Sequence, residues 1–143
     1  MIQQIDKLSP YAIPGVIERG KTRLFELNEK HPALLQIANT VDIPVDELFA
    51  KGRKKPVIIY RQVARYILHK CEGYSQQKVA RLMNCDHSTI IYSCNEVINN
   101  IEIYFTVKKE FSKVYDLMGV IESWNGVDVA KEILIDRGVK VNW

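Results

Sequence analysis

Three cysteines, seven glycines and five prolines give this 143-residue chain little of what several common architectures need. Cys71, Cys85 and Cys94 are odd in number and widely spaced, and no Cys-x-x-Cys occurs. Neither a disulfide framework nor a zinc knuckle is supported. Cys85, Asp86 and His87 set potential ligands side by side, but adjacent residues rarely converge on one metal. Reduced, partly buried thiols and no metal are the expectation. Apolar runs are short, such as Val57–Tyr60, so no membrane span is expected. The start, MIQQIDKLSP, has no charged-then-apolar leader pattern, and a cytoplasmic location follows by default. No Ser/His/Asp arrangement, paired-carboxylate signal or His-x-His motif is present, so the chain reads as a non-enzyme without a cofactor.

One stretch tempts otherwise. Gly15–Thr22, with Gly20, Lys21 and Thr22 at its end, fits the phosphate-loop pattern. That pattern works only between a buried strand and a helix start. Pro10 and Pro14 stand just before it and are incompatible with a central strand. No run of strand–helix–strand units follows that could build a parallel sheet. The match is therefore read as chance.

Acid is what the middle of the chain lacks. Residues 51–94 hold nine Lys/Arg and two Asp/Glu, while 1–50 and 95–143 each carry a net charge of −2. Between Leu48 and Cys71 there are seven basic residues and no acid. Such a block is the footprint of an anion-binding face.

The periodicity is helical throughout. Pro32 opens a helix over 32–41 whose inward face is Leu34, Ile37, Ala38 and Val41. A second short helix is expected at 43–49, then a non-helical basic loop at 51–56 bearing Lys51, Arg53, Lys54 and Lys55. Tyr60, Val63, Ala64, Ile67, Leu68 and Cys71 form one amphipathic stripe, and Gly73 ends that helix. Ser75 is placed to cap a helix over 76–84. After a tight turn, Asp86 would cap a long helix to about Ile103, with Ile90, Cys94, Val97, Ile98 and Ile101 inward. Further helices are expected at about 107–118 and 127–137, and the alternating 139–143 as a short strand. A short helix near 23–28 is the one element read in the first thirty residues. The class is all-α, divided into an N-terminal extension (1–31), a central domain (32–118) and a C-terminal extension (119–143).

Two helices over 76–84 and 86–103 with so short a connection have helix-turn-helix spacing. In such a unit the second helix enters the major groove tip first. Its tip here carries Asp86, His87, Ser88, Thr89 and Tyr92, polar side chains outside the apolar stripe that can exchange hydrogen bonds with base edges. Asp86 has a capping role as an equal alternative. Arg61 and Gln62, at the start of the core helix, are expected on a phosphate backbone. Ser75, Gln76 and Lys78, at the start of the first motif helix, are expected on the DNA as well, with Lys78 and Arg81 on that helix's exposed face. A basic arm beside the motif can reach a minor groove.

Taken together, Leu48–Arg53, Arg61–Ala64, Ser75 and Asp86–Cys94 resemble the C-terminal DNA-binding domain of the bacterial replication initiator DnaA, over about residues 34–118. The resemblance implies a Trp-repressor-like helix-turn-helix that reads a short box in double-stranded DNA. It implies Arg53 in the minor groove and Asp86, His87, Ser88 and Thr89 in the major groove, with Arg61, Gln62 and Lys55 on the backbone. Two departures stand out. Met83-Asn84-Cys85-Asp86-His87 replaces the family's Gly-Gly-Arg-Asp-His, one residue shorter in the turn and without its arginine. Ile59-Tyr60-Arg61-Gln62 replaces Arg-Pro-Arg-Gln. An initiator's ATPase module has no counterpart in the sequence, so the resemblance implies a stand-alone or mobile-element relative. A protein-interaction module on the same scaffold is the alternative, with a partner docked by the C-terminal segment and its Trp124 and Trp143.

Overall fold

The computed structural model describes residues 31–52, 56–106 and 112–141. The Gly15–Thr22 pattern, the short helix expected near 23–28, the arm residues Arg53, Lys54 and Lys55, and Trp143 lie outside them. Among the described residues there are six α-helices and no strand: α1 (Pro32–Val41), α2 (Val57–Tyr66), α3 (Gln76–Met83), α4 (His87–Thr106), α5 (Ser112–Ser123) and α6 (Gly126–Asp136).

Helix α1 starts on Pro32 and buries Leu34, Ile37, Ala38 and Val41, the face its spacing predicts. The helix expected over 43–49 shrinks to one 3-10 turn, Val45–Leu48, which still buries Leu48. Pro56 takes the position before α2, so that helix begins at Val57, one turn earlier than its apolar stripe. It then widens into a π-helical turn, Ile67–Cys71, before Gly73 turns the chain at φ +80°. Helix α3 opens as predicted: the Ser75 hydroxyl accepts from the Lys78 N–H at 3.1 Å. It closes on Asn84 in the left-handed conformation, φ 55°. Asn84, Cys85 and Asp86 are all that separate α3 from α4. Of the helix expected at 107–118, residues 107–111 lie outside the described residues; the described part starts at Ser112 and runs on to Ser123, and residues 139–141 form no strand.

Helix α2 is the centre of the bundle. Seven consecutive residues, Tyr60–Tyr66, are buried, including Arg61, Gln62 and Arg65. α2 packs on α4, α1 and α5, α3 packs on α4, and α5 lies along α1. The buried set runs from Leu34 and Ile37 through Val63, Ile67 and Leu68 to Ile90, Val97, Ile98 and Leu117. Each such side chain contributes about 1.5–3 kcal/mol on leaving water. Three polar contacts fasten α1 to the far end of the chain. Trp124 Nε1 donates to Gln36 Oε1 at 2.9 Å, Gln36 Nε2 donates to Ser123 Oγ at 3.4 Å, and Lys113 Nζ donates to the Val41 carbonyl at 2.9 Å. Helix α6 covers α4 and the π-turn, burying Ala130 and Leu134. The Tyr66 hydroxyl donates to the Gly126 carbonyl at 2.7 Å, and burial raises its pKa far above the usual phenol range.

The thiols follow the packing. Cys94 is buried and Cys71 and Cys85 are half-buried, all free. Burial pushes Cys94 up to about 11 and Cys71 up to about 12. An unfolded thiol loses its proton near pH ~8.5. Folded thiols that hold theirs longer contribute stability that is complete below that pH and lost as pH rises towards their folded values. The thermal midpoint should therefore fall between pH 8.5 and 11, with Tyr66 acting in the same sense. A midpoint flat across that window would contradict this burial.

Candidate nucleic-acid interface

The turn at Asn84–Asp86 sets α4 against α3 with its first turn outward. Asp86, His87 and Ser88 are exposed, and Thr89 is half-buried. Ile90 is the first residue of α4 to enter the core, at 0% exposure. One helical turn further on, Tyr92 is 59% exposed. The Asp86 carbonyl accepts from the Thr89 N–H at 3.1 Å. Gln76 Nε2 donates to the His87 carbonyl at 2.8 Å, so the start of α3 braces the start of α4. The positive end of the α4 dipole and its polar tip thus face solvent together.

Beside this tip lies an open groove of about 750 Å³. One wall is the end of the basic loop, Ala50–Gly52, and the other is Asp86, Ser88, Thr89 and Tyr92. Its floor is α2, through Ile58, Arg61, Gln62 and Arg65. The fold brings Lys51 and the first turn of α4 to one opening, although some 35 residues separate them in sequence.

The sequence-predicted residues that the structure describes divide into two groups here. Lys51, Asp86, Ser88, Thr89 and Tyr92 line the groove with Arg61 and Gln62 beneath them, and His87 stands exposed at the same helix tip. Ser75, Gln76 and Lys78 sit at the α3 start. Ser75 acts as a cap there, Gln76 as a brace, and Lys78 Nζ lies 4.3 Å from the Tyr74 ring centroid. The structure gives Arg61 a specific internal task. At 5% exposure its Nε donates to the Glu47 carbonyl at 2.8 Å and its Nη1 to the Gly52 carbonyl at 3.0 Å. The Glu47 carboxylate stands 3.9 Å from Nη2. Arg61 thereby holds the strip from the 3-10 turn to Gly52, the strip that leads into the arm.

Cys85, which the sequence places at the turn where the family has an arginine, belongs to the same groove, as do Arg65 and Ser93, which sequence reasoning missed. Arg65 is 9% exposed and donates from Nη1 to Ser93 Oγ at 3.0 Å, bridging α2 to α4. Its Nε is buried with no partner. Cys85 lies against the Arg65 guanidinium; burial raises its thiol, which the arginine partly offsets. Lying outside the apolar stripe, Arg65 and Ser93 read as solvent-facing, and no local signal marks them as groove floor. Among the described residues no cluster of three or more His, Cys, Asp or Glu could hold a metal, and no helix is long and apolar enough to cross a membrane.

Comparison with known proteins matches this region. The family model described as bacterial dnaA protein helix-turn-helix matches residues 34–97. The chain is similar to proteins named chromosomal replication initiator protein DnaA. The one from Bacteroides thetaiotaomicron is 22% identical over 112 residues, covering 78% of this chain and 23% of that protein. The one from Geotalea daltonii is 33% identical over 99 residues, 66% of this chain and 21% of its own length. The one from Chloroflexus aggregans is 34% identical over 71 residues, 48% and 15%. The chain thus spans about a fifth of the length of the curated relatives it matches. No solved structure matches it.

Proposed function

We propose, on the premise that residues 34–97 belong to the bacterial DnaA helix-turn-helix family, that the chain is a non-catalytic, sequence-specific reader of double-stranded DNA. The observation that carries this reading is the groove that joins the basic loop to the tip of α4. A duplex seated there meets base-reading groups and cations at once. Asp86, His87, Ser88 and Thr89 read base edges in the major groove. Arg53 enters the adjacent minor groove, drawn by its negative potential. Lys51, Lys54 and Lys55 neutralise phosphates, and Tyr92 flanks the base contacts. The missing turn arginine, with Cys85 in its place, makes the preferred box differ from an initiator's. The relatives' printed name supports a role linked to replication initiation; its regulation and a mobile element are the other settings the same reader would suit.

The test is binding of a labelled duplex carrying a DnaA-type box against a scrambled duplex, across a salt series. Preference for the box, with affinity falling steeply as salt rises, is expected. Thr89→Ala and His87→Ala should weaken the box and leave the scrambled duplex unchanged. Arg53→Ala should cost about 1–3 kcal/mol on the box. Equal losses on both duplexes would remove the base-reading assignment. Absence of binding at low salt would remove the DNA reading and turn attention to a protein partner of the C-terminal segment.

A further inference from the structure

Arg65 is a buried cation without a counter-charge. It is nine-tenths buried. Burial is the main influence lowering its pKa; the groups acting on it are the Cys85 and Cys94 thiols and a second cation, Arg61. No carboxylate is among them. Arg61 differs, because two carbonyls and the Glu47 carboxylate take up its guanidinium. Arg65 has one hydroxyl acceptor, Ser93, a thiol neighbour, Cys85, and a buried Nε without a hydrogen-bond partner. A cation so placed is costly in the empty protein, and an aliphatic side chain of similar volume is often more stabilising. Yet it lines an open groove, beneath Ser88 and Thr89 at the positive end of a 20-residue helix. Two positive features converge on one opening, and its one carboxylate among the described residues, Asp86, stands on the wall and is not among the groups acting on Arg65.

We infer that Arg65 forms the floor of a phosphate site, which one phosphodiester of the bound duplex enters between the Ala50–Gly52 loop and the first turn of α4. The inference rests on the DNA reading and adds to it a residue that the sequence did not single out. The site compensates for the cation absent from the shortened turn: a positive charge reaches the groove from beneath, out of α2, and not from Cys85 above. A phosphate contact of this kind fixes the register of the duplex and carries no sequence information.

The experiment compares the full chain with Arg65→Met and Arg65→Lys, and with Lys140→Ala as a remote loss of one charge. Arg65→Met should bind box and scrambled duplex alike more weakly, by roughly tenfold. Its slope of log affinity against log salt should be shallower by about 0.9, the share of one phosphate. Arg65→Lys should keep the slope and recover part of the affinity. The ligand-free Arg65→Met protein should melt no lower than the parent, a result that a purely structural bridge to Ser93 would not give. An unchanged slope and affinity in Arg65→Met would overturn the site. Should that variant fail to fold, the Arg65 Nε–H resonance of the parent decides: it must shift when duplex is added, and its constancy would overturn the site. Should the parent bind no duplex, the DNA reading fails by itself. Inorganic phosphate then decides the site: a shift of the Arg65 Nε–H resonance retains a phosphate site with a free-anion ligand, and no shift removes it.

Discussion

Gly126→Ala is expected to be the most destabilising glycine-to-alanine change among the described residues. A Cβ at Gly126 would stand 2.6 Å from Ile121 Cγ2, 2.9 Å from the Ile121 carbonyl oxygen and 3.3 Å from Tyr66 Cε2. The methyl of Ile121 could turn aside, but the carbonyl is backbone at the end of α5 and the tyrosine ring is fully buried. Relief requires α6 to move off, and that breaks the bond from the Tyr66 hydroxyl to the Gly126 carbonyl. Overpacking and a stranded buried hydroxyl together should cost about 3–5 kcal/mol. Thermal unfolding of the purified variant gives the total. Amide exchange gives the place, with protection lost across α6 first and across α4 much less. Tyr66→Phe, which removes the bond without the clash, should cost about 1–3 kcal/mol. A Gly126→Ala protein as stable as its parent would mean that α6 is not seated as described.

Arg61→Met is the second large effect, and it separates two roles that look alike in sequence. The guanidinium lost here holds the carbonyls of Glu47 and Gly52. Both residues are exposed, so water can take over their carbonyls and the stability cost should stay at about 1–3 kcal/mol. The larger consequence is for binding. With its tether gone, the strip leading into the arm loses its position, and affinity for the box should fall by roughly ten- to a hundredfold. The decisive comparison is a double-mutant cycle with Arg53→Ala. If Arg61 acts by aiming the arm, its loss should matter far less once Arg53 is gone. Additive losses would instead put Arg61 directly on the DNA.

These arguments mark where the sequence was legible. Stripes were: Leu34, Ile37, Ala38 and Val41 on α1, and Ile90, Cys94, Val97, Ile98 and Ile101 on α4, are buried as their spacing implies. Terminators were too, because Ser75, Gly73 and Gly138 act through local backbone geometry. The tip of α4 was legible for the same reason, since its residues stand at a helix start and outside the stripe. What escaped depends on tertiary neighbours. A stripe predicts a helix with one wet face, yet every residue of α2 from Tyr60 to Tyr66 is buried, those on the groove floor included. Arg65 therefore read as solvated and Arg61 as facing a phosphate. The carbonyls that engage Arg61 come from residues nine and fourteen positions earlier, in a segment with no regular pattern. The π-turn after Tyr66 has no sequence signature either, and the end of α5 runs past the expected 118 to Ser123 because nothing in Gly119–Ser123 marks a stop.

The pairing of α1 with α5 has a consequence for how the molecule is made. Lys113 bonds the carbonyl of Val41 across 72 positions, and Trp124 reaches Gln36 across 88. A ribosome adding about 5–20 residues per second needs several seconds to supply that partner after α1 has emerged. Throughout that interval Leu34, Ile37 and Val41 are a nascent apolar face with half of its cover still unmade. The helix-turn-helix, α3 and α4, is translated just ahead of α5, the element that covers α1, so the nascent chain passes through a stage in which α3 and α4 can pair while α1 is still sticky. Rare codons placed after residue 97 would lengthen that stage, and a holdase chaperone would find its substrate there.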